Sequence, residues 1–315
     1  MTTVAPLSAV PDPDSALQAP AVLANAAAAP LVSDVSSANA SAAVAAAAVA
    51  AAAAATPLEA RGVASIYQLA LRRPADDAGL SYWGSQLAGG LSREQYALSI
   101  FTSREFRESA ISDAYQLILR RQVDDQGLDY WLKQMESGKS LQYVVANLLA
   151  STEFMDSVFS NRAFVISVYF YALNRIPDDV GYAYWTAGFN STFDRATGTV
   201  APGADRFQVA MAILTSQEAV GKQVNDLYTS LLNRSADAAG MAYWSGRLRA
   251  GARFEEVMAG ILGSGEYWAQ LQMFLAQNPQ TSNPNLDAGR FLLNTGRFSW
   301  TWPFSLLPGV RFLPD

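Results

Sequence analysis

The sequence predicts an all-α protein: four tandem repeats of three to four short helices, with an extended, Ala-rich N-terminal arm and an extended aromatic C-terminal tail. Three observations predict it. A set of Tyr, Arg, Asp, Gly and Tyr-Trp recurs four times at fixed internal spacing. Large apolar residues within each copy recur at three and four, the period of a helix face. Composition changes abruptly on either side of the repeated region.

The arm is residues 1–56. It contains no Gly, no aromatic residue and no Lys or Arg, and 24 of its residues are Ala. Such a stretch lacks the large apolar side chains needed to fold alone. Pro6, Pro11, Pro13, Pro20 and Pro30 favour an extended first half, and Ser41 through Ala55 has high helix propensity. Ala42–Ala55 is too short and too weakly hydrophobic for a membrane span, which takes roughly 20 apolar residues. The first basic residue is Arg61, so no ordinary Sec signal is expected.

The repeats follow. Their frames are Tyr67, Arg73, Gly79, Tyr82-Trp83; Tyr115, Arg121, Gly127, Tyr130-Trp131; Tyr169, Arg175, Gly181, Tyr184-Trp185; and Tyr228, Arg234, Gly240, Tyr243-Trp244. Asp76, Asp124, Asp178 and Asp237 each precede the Gly by three, and each unit closes on a Ser-x-Glu step: Ser103/Glu105, Ser151/Glu153, Ser216/Glu218 and Ser264/Glu266. The units are assigned to 57–110, 111–158, 159–222 and 223–275. Unit three carries about eleven extra residues near 190–205, with Gly198, Pro202 and Gly203, which read as a surface loop. The motif Asp caps a second helix, Ser92 and Ser140 cap a third, and Ser103 and Ser151 cap the next. No strand is expected between 57 and 275. The tail, 276–315, is expected to be extended; Phe298, Trp300, Trp302 and Phe304 alternate there with smaller residues and would form one greasy face.

Chemistry is limited by what is absent. The 315 residues include no His and no Cys, which excludes Ser-His and Cys-His nucleophiles, His/Cys zinc sites and disulfides. A net charge of −6 argues against a nucleic-acid binder. The Tyr-Trp pairs suit sugar stacking if exposed, but repetition in every unit favours packing, with Trp83, Trp131, Trp185, Trp244 and their tyrosines as repeat core. The pairs Asp76/Asp77, Asp124/Asp125 and Asp178/Asp179 suggest weak Ca²⁺ binding as an alternative to capping. Ca²⁺ takes roughly six to eight oxygens, and the fourth unit has Ala238 in the second place. Carboxylate pairs also serve glycosidases, yet no carboxylate is singled out here and catalytic sites are not copied four times. No enzyme, catalytic residue or cofactor is expected.

The run Leu71-Arg72-Arg73-Pro74-x-Asp76-x-x-Gly79-Leu80-x-Tyr82-Trp83, with Ser103-x-Glu105-Phe106, resembles a bacterial repeat family known as domain of unknown function 4214, distantly similar to phycobilisome linker domains. The resemblance covers roughly residues 60 to 270. Unit three departs with Tyr182 for Leu; unit four has Ser235-Ala236 before its Asp and Met241 for Leu. The resemblance implies an all-helical fold and a secreted or surface-attached bacterial protein of the kind found beside Ca²⁺-binding repeats, adhesins or surface-layer modules.

The functional expectation is a non-enzymatic extracellular or cell-surface protein, exported without a Sec signal, with type I secretion as the natural route. It would assemble with copies of itself into a filament, surface layer or matrix through its terminal segments, with Phe298, Trp300, Trp302 and Phe304 as assembly residues. A carbohydrate-binding or adhesion module taking a cell-surface glycan is the first alternative. A cytoplasmic linker-type scaffold is the second. No nucleic-acid partner and no transmembrane segment are expected.

Overall fold

The computed structural model describes residues 57–187, 189, 192–194, 199–201 and 205–295. The arm 1–56 and the stripe Phe298, Trp300, Trp302 and Phe304 lie outside the described residues. Each unit opens on a first helix: α1 (Pro57–Leu71), α4 (Arg104–Ile118), α8 (Asn161–Leu173) and α11 (Gln217–Leu232). The second helices are α2 (Asp77–Ala88), α5 (Asp125–Glu136), α9 (Asp179–Ala187) and α12 (Ala238–Arg249). The third are α3 (Arg93–Phe101), α6 (Leu141–Ala150), α10 (Arg206–Leu214) and α13 (Phe254–Leu262). A short α7 (Thr152–Val158) leads into α8, and α14 (Gly265–Gln277) and α15 (Pro284–Asn294) complete the order. The all-α class holds, and α4 and α11 each run across a unit boundary drawn from the sequence, at 110/111 and 222/223.

The turns follow from local chemistry. Every first helix ends on a residue in the left-handed region immediately before the motif Arg: Arg72, Arg120, Asn174 and Asn233, with φ between 54° and 57°. That conformation turns the chain sharply back, and Asn tolerates it better than Arg. Gly90, Gly138 and Gly251, with φ near 100°, end the second helices of units one, two and four. There Leu91, Lys139 and Ala252 each donate a backbone N–H to the carbonyl five residues earlier, which satisfies orphan helix-end acceptors. Ser92 and Ser140 cap the third helices, and Ser103, Ser151, Ser216 and Ser264 cap the next ones, each accepting from the N–H three residues on.

The units are arranged as a closed ring. Third helices pair across it, α3 on α13 and α6 on α10, so unit one faces unit four and unit two faces unit three. First helices bridge the remaining junctions, α1 with α4 and α8 with α11. One continuous apolar core results, in which Tyr96, Phe101, Phe164, Tyr267 and Trp268 are almost wholly buried. Each such side chain contributes about 1.5–3 kcal/mol on burial.

Two expectations are corrected. The insertion in unit three forms a short antiparallel hairpin, β1 (Thr192–Asp194) on β2 (Thr199–Ala201), where no strand was expected. The β-branched residues Thr192, Thr199 and Val200 favour that conformation. The segment 276–315 is not an extended tail throughout. Residues Pro284–Asn294 form α15, because Asn283 caps the helix and Pro284 occupies its first turn. The helix packs on α1 and buries Asp287, Ala288, Phe291 and Leu292.

Candidate functional site

The repeated residues meet in one cluster per unit. The motif Tyr lies on the first helix and the motif Trp on the second, sixteen residues later. The indole Nε1 of Trp83 donates to the hydroxyl of Tyr67 at 3.0 Å, and Trp131 to Tyr115, Trp185 to Tyr169 and Trp244 to Tyr228 at 3.0, 2.9 and 3.2 Å. The motif Gly is the contact point between the two helices. A Cβ on Gly79, Gly127, Gly181 or Gly240 would stand between 2.2 and 3.0 Å from the Tyr hydroxyl of its own unit. Glycine is therefore required for close approach, since these residues lie within helices of ordinary φ.

The motif Arg covers the same Tyr from outside. The guanidinium carbons of Arg73, Arg121, Arg175 and Arg234 lie 5.3, 5.1, 5.1 and 4.9 Å from the ring centres of Tyr67, Tyr115, Tyr169 and Tyr228. Each Arg also makes a two-pronged pair with the Glu of the Ser-x-Glu step: Arg73 with Glu105, Arg121 with Glu153, Arg175 with Glu218, Arg234 with Glu266. The arginines hold the carboxyls of Glu153, Glu218 and Glu266 below the usual carboxylate range, chiefly through these hydrogen bonds. Each clasp thus ties the turn before a second helix to the helix that follows the third one: α4, α7, α11 or α14.

The Asp pairs divide their work. Asp76, Asp124, Asp178 and Asp237 accept from the N–H of the motif Gly at 2.6–2.8 Å. Those N–H groups hold Asp124 and Asp237 below the usual range. Asp77, Asp125 and Asp179 are the first residues of α2, α5 and α9 and are exposed. Among the described residues no group of three or more carboxylates gathers as a metal-sized cluster.

The aromatic pairs are split by the helix. Trp83 and Trp131 are buried; Trp185 and Trp244 are half-buried and pack against the core. Their neighbours point outward: Tyr82, Tyr130, Tyr184 and Tyr243 are 40–59% exposed. Adjacent helical residues point about 100° apart, and in these four helices the Tyr falls on the exposed side, so the expectation that both rings form the core is corrected. Each outer Tyr meets its Trp edge-on, with ring centres 4.7–5.0 Å apart. The result is four equivalent exposed tyrosines, one per unit, each braced by a fixed indole.

The Arg–Glu and Tyr–Trp bonds escape the sequence reading. Their signal is present in the fixed offsets. Glu follows Arg by 32 residues in units one, two and four and by 43 in unit three. Partners that keep their places when eleven residues are inserted between them are marked as a pair.

A family model described as Domain of unknown function (DUF4214) matches in four successive stretches, residues 40–110, 107–158, 146–223 and 221–271. Each stretch carries one Tyr–Arg–Asp–Gly–Tyr-Trp cluster. The chain belongs to the DUF4214 family. No curated protein and no solved structure matches it. In DUF4214 terms, the clusters are the repeated feature of the four copies, and α15 lies beyond the last matched stretch. Among the described residues no helix is long and apolar enough to cross a membrane.

Proposed function

We propose that this DUF4214 protein is a non-enzymatic extracellular structural protein that assembles with copies of itself. The observation that carries the reading is the use made of the repeated polar side chains. In all four units Arg is spent on Glu, Asp on a helix end and the Tyr hydroxyl on an indole, so the four-fold chemistry builds a body rather than a reaction centre. Connection between bodies then falls to the segments flanking the ring. That body includes α15, which covers α1.

The test compares the full chain with residues 57–295 by light scattering and electron microscopy. The full chain is expected to polymerise and the shorter one to stay a helical monomer. Replacement of Trp300 and Trp302 by Ser should abolish polymers and leave the fold intact. Polymers unchanged by both alterations would remove the terminal segments from the assembly.

One observation favours a second reading. The outward Tyr82, Tyr130, Tyr184 and Tyr243 are rigid, repeated and exposed, which suits an adhesion module stacking on a cell-surface glycan. Glycan-array binding lost when all four become Ala would support it; binding that survives the change would remove it.

A further inference from the structure

The face of α5 around Tyr130 differs from its three counterparts. Gln126 and Gln134 stand four residues before and four after Tyr130 on that helix. The three side chains therefore follow one another along one line of the helix, with successive Cβ atoms about 5–6 Å apart. Gln126 is exposed and Gln134 half-buried, and neither carboxamide has a hydrogen-bond partner among the described residues. Several other glutamines are engaged by the fold: Gln68, Gln223 and Gln270 donate to backbone carbonyls, and Gln95 completes a capping box. Around Tyr82 of α2 the same places hold Ala78 and Gln86. Around Tyr243 of α12 they hold Ala239 and Arg247, and Arg247 pairs with Glu256 at 3.6 Å. In α9 Val180 precedes Tyr184, and the helix closes at Ala187, one residue short of the second place.

Tyr130 is also well braced. It is 52% exposed, and its ring meets Trp131 edge-on with centres 4.8 Å apart. Trp131 is itself pinned by its bond to Tyr115 at 3.0 Å, and the Asp124 cap fixes the start of α5. A ring held in this way offers a flat apolar plane at little ordering cost. The amide at either end both donates and accepts. That combination fits a pyranose, whose C–H face can lie on the phenol while neighbouring hydroxyls exchange bonds with the carboxamides. Charge narrows the class. Asp125, Asp129 and Glu136 lie on the same helix, and its one cation, Lys133, is paired with Asp129 at 2.7 Å. An acidic sugar would be repelled there.

We propose that Gln126, Tyr130 and Gln134 form a binding site for a neutral pyranose sugar. The proposal rests on the adhesion reading and deepens it, naming the unit and the class of sugar.

The test is titration calorimetry of the full chain with neutral tetrasaccharides of glucose, galactose and mannose, and with tetragalacturonate as the acidic probe. At least one neutral probe is expected to bind, and the acidic one is not. Tyr130→Ala should abolish binding while the helical circular-dichroism signal and the Tm keep the parent's values. Gln126→Ala and Gln134→Ala should each weaken binding about ten-fold, the worth of one or two hydrogen bonds. Tyr184→Ala and Tyr243→Ala should leave it unchanged. Absence of binding to every neutral probe, binding that prefers tetragalacturonate, or binding that survives Tyr130→Ala would overturn the site.

The glycan array separates this failure from that of the adhesion reading. Array binding that survives Tyr130→Ala but is lost when Tyr82, Tyr184 and Tyr243 are changed keeps adhesion and removes this site. Array binding indifferent to all four tyrosines, or absent from the parent, removes both.

Discussion

Trp131 donates its indole N–H to the hydroxyl of Tyr115, and Gly127 stands against that same hydroxyl, where a Cβ would come to 3.0 Å. One phenolic oxygen therefore fixes both the rotation and the spacing of two helices. Tyr115→Phe leaves the buried indole N–H without an acceptor, at a cost of about 1–3 kcal/mol. Tyr169→Phe should cost less, because Trp185 is half-buried and water can replace the lost bond. Urea denaturation of the two variants checks the order.

The split aromatic pair predicts opposite outcomes for neighbours. Trp131→Ala removes a buried ring and should cost about 3–5 kcal/mol. Tyr130→Ala, at an exposed position, should stay within about 0.5 kcal/mol of the parent. Iodide should quench Trp185 and Trp244 more readily than Trp83 and Trp131. Equal quenching of all four would contradict the burial seen here.

Two glycines in one helix should respond with opposite signs. Gly240→Ala places a methyl 2.2 Å from the Tyr228 hydroxyl, forcing the ring away from Trp244 at about 1–3 kcal/mol. Gly246 has open space at its Cβ position, so Gly246→Ala should stabilise by up to about 1 kcal/mol through helix propensity. Thermal melts of the two single variants are sufficient.

Acid stability has two opposing parts. Glu153, Glu218 and Glu266 are held low by their arginines, and Asp124 and Asp237 by backbone N–H groups. A depressed folded pKa means stability present above the unfolded value, about 4, and lost as pH falls through the folded one. Glu255 behaves oppositely. It is buried in the first turn of α13, and its Oε2 is, among the described residues, the one buried side-chain polar atom without a hydrogen-bond partner. Burial raises its pKa against the pull of Arg253 and Arg107. Its charged form therefore destabilises the fold at neutral pH, and that penalty fades on acidification. Glu255→Gln should stabilise by roughly 1 kcal/mol at pH 7 and by nothing below about pH 4. A gain that persists undiminished at acidic pH would refute this account.

Ca²⁺ is expected to be no more than an accessory. Capping already employs the first Asp of each turn, and in units one, two and four an Arg pairs with it as well. Chelation should leave the helical circular-dichroism signal and the Tm unchanged. A drop with EDTA that Ca²⁺ reverses would reassign Asp76, Asp77 and their counterparts.

Local rules were legible in the sequence wherever one residue acts on its own backbone. Asp76, Ser92 and Ser103 declare helix starts because capping is a matter of three residues. The Arg73–Glu105 pair and the closure of unit one on unit four depend on where helices cross, which spacing alone does not state. Tyr82 was misplaced because a repeated aromatic pair reads as core, although neighbouring residues on a helix diverge. For α15 the Asn283-Pro284 start signal is present in the sequence, but the alternation of Phe298, Trp300, Trp302 and Phe304 extends a strand-like reading over the whole of 276–315.

The hairpin in unit three has an implication for how such proteins diversify. Eleven added residues separate α9 from α10, yet Arg175 and Glu218 still meet at 2.7 Å, as their counterparts do in units without the addition. The body tolerates foreign sequence at that turn because neither partner of the clasp lies within it. The matching turns at Gly89-Gly90, Ser137-Gly138 and Gly251 stand in the same relation to their own clasps. Each is a graft point, and a ring with four of them can change what it displays without relearning how to fold.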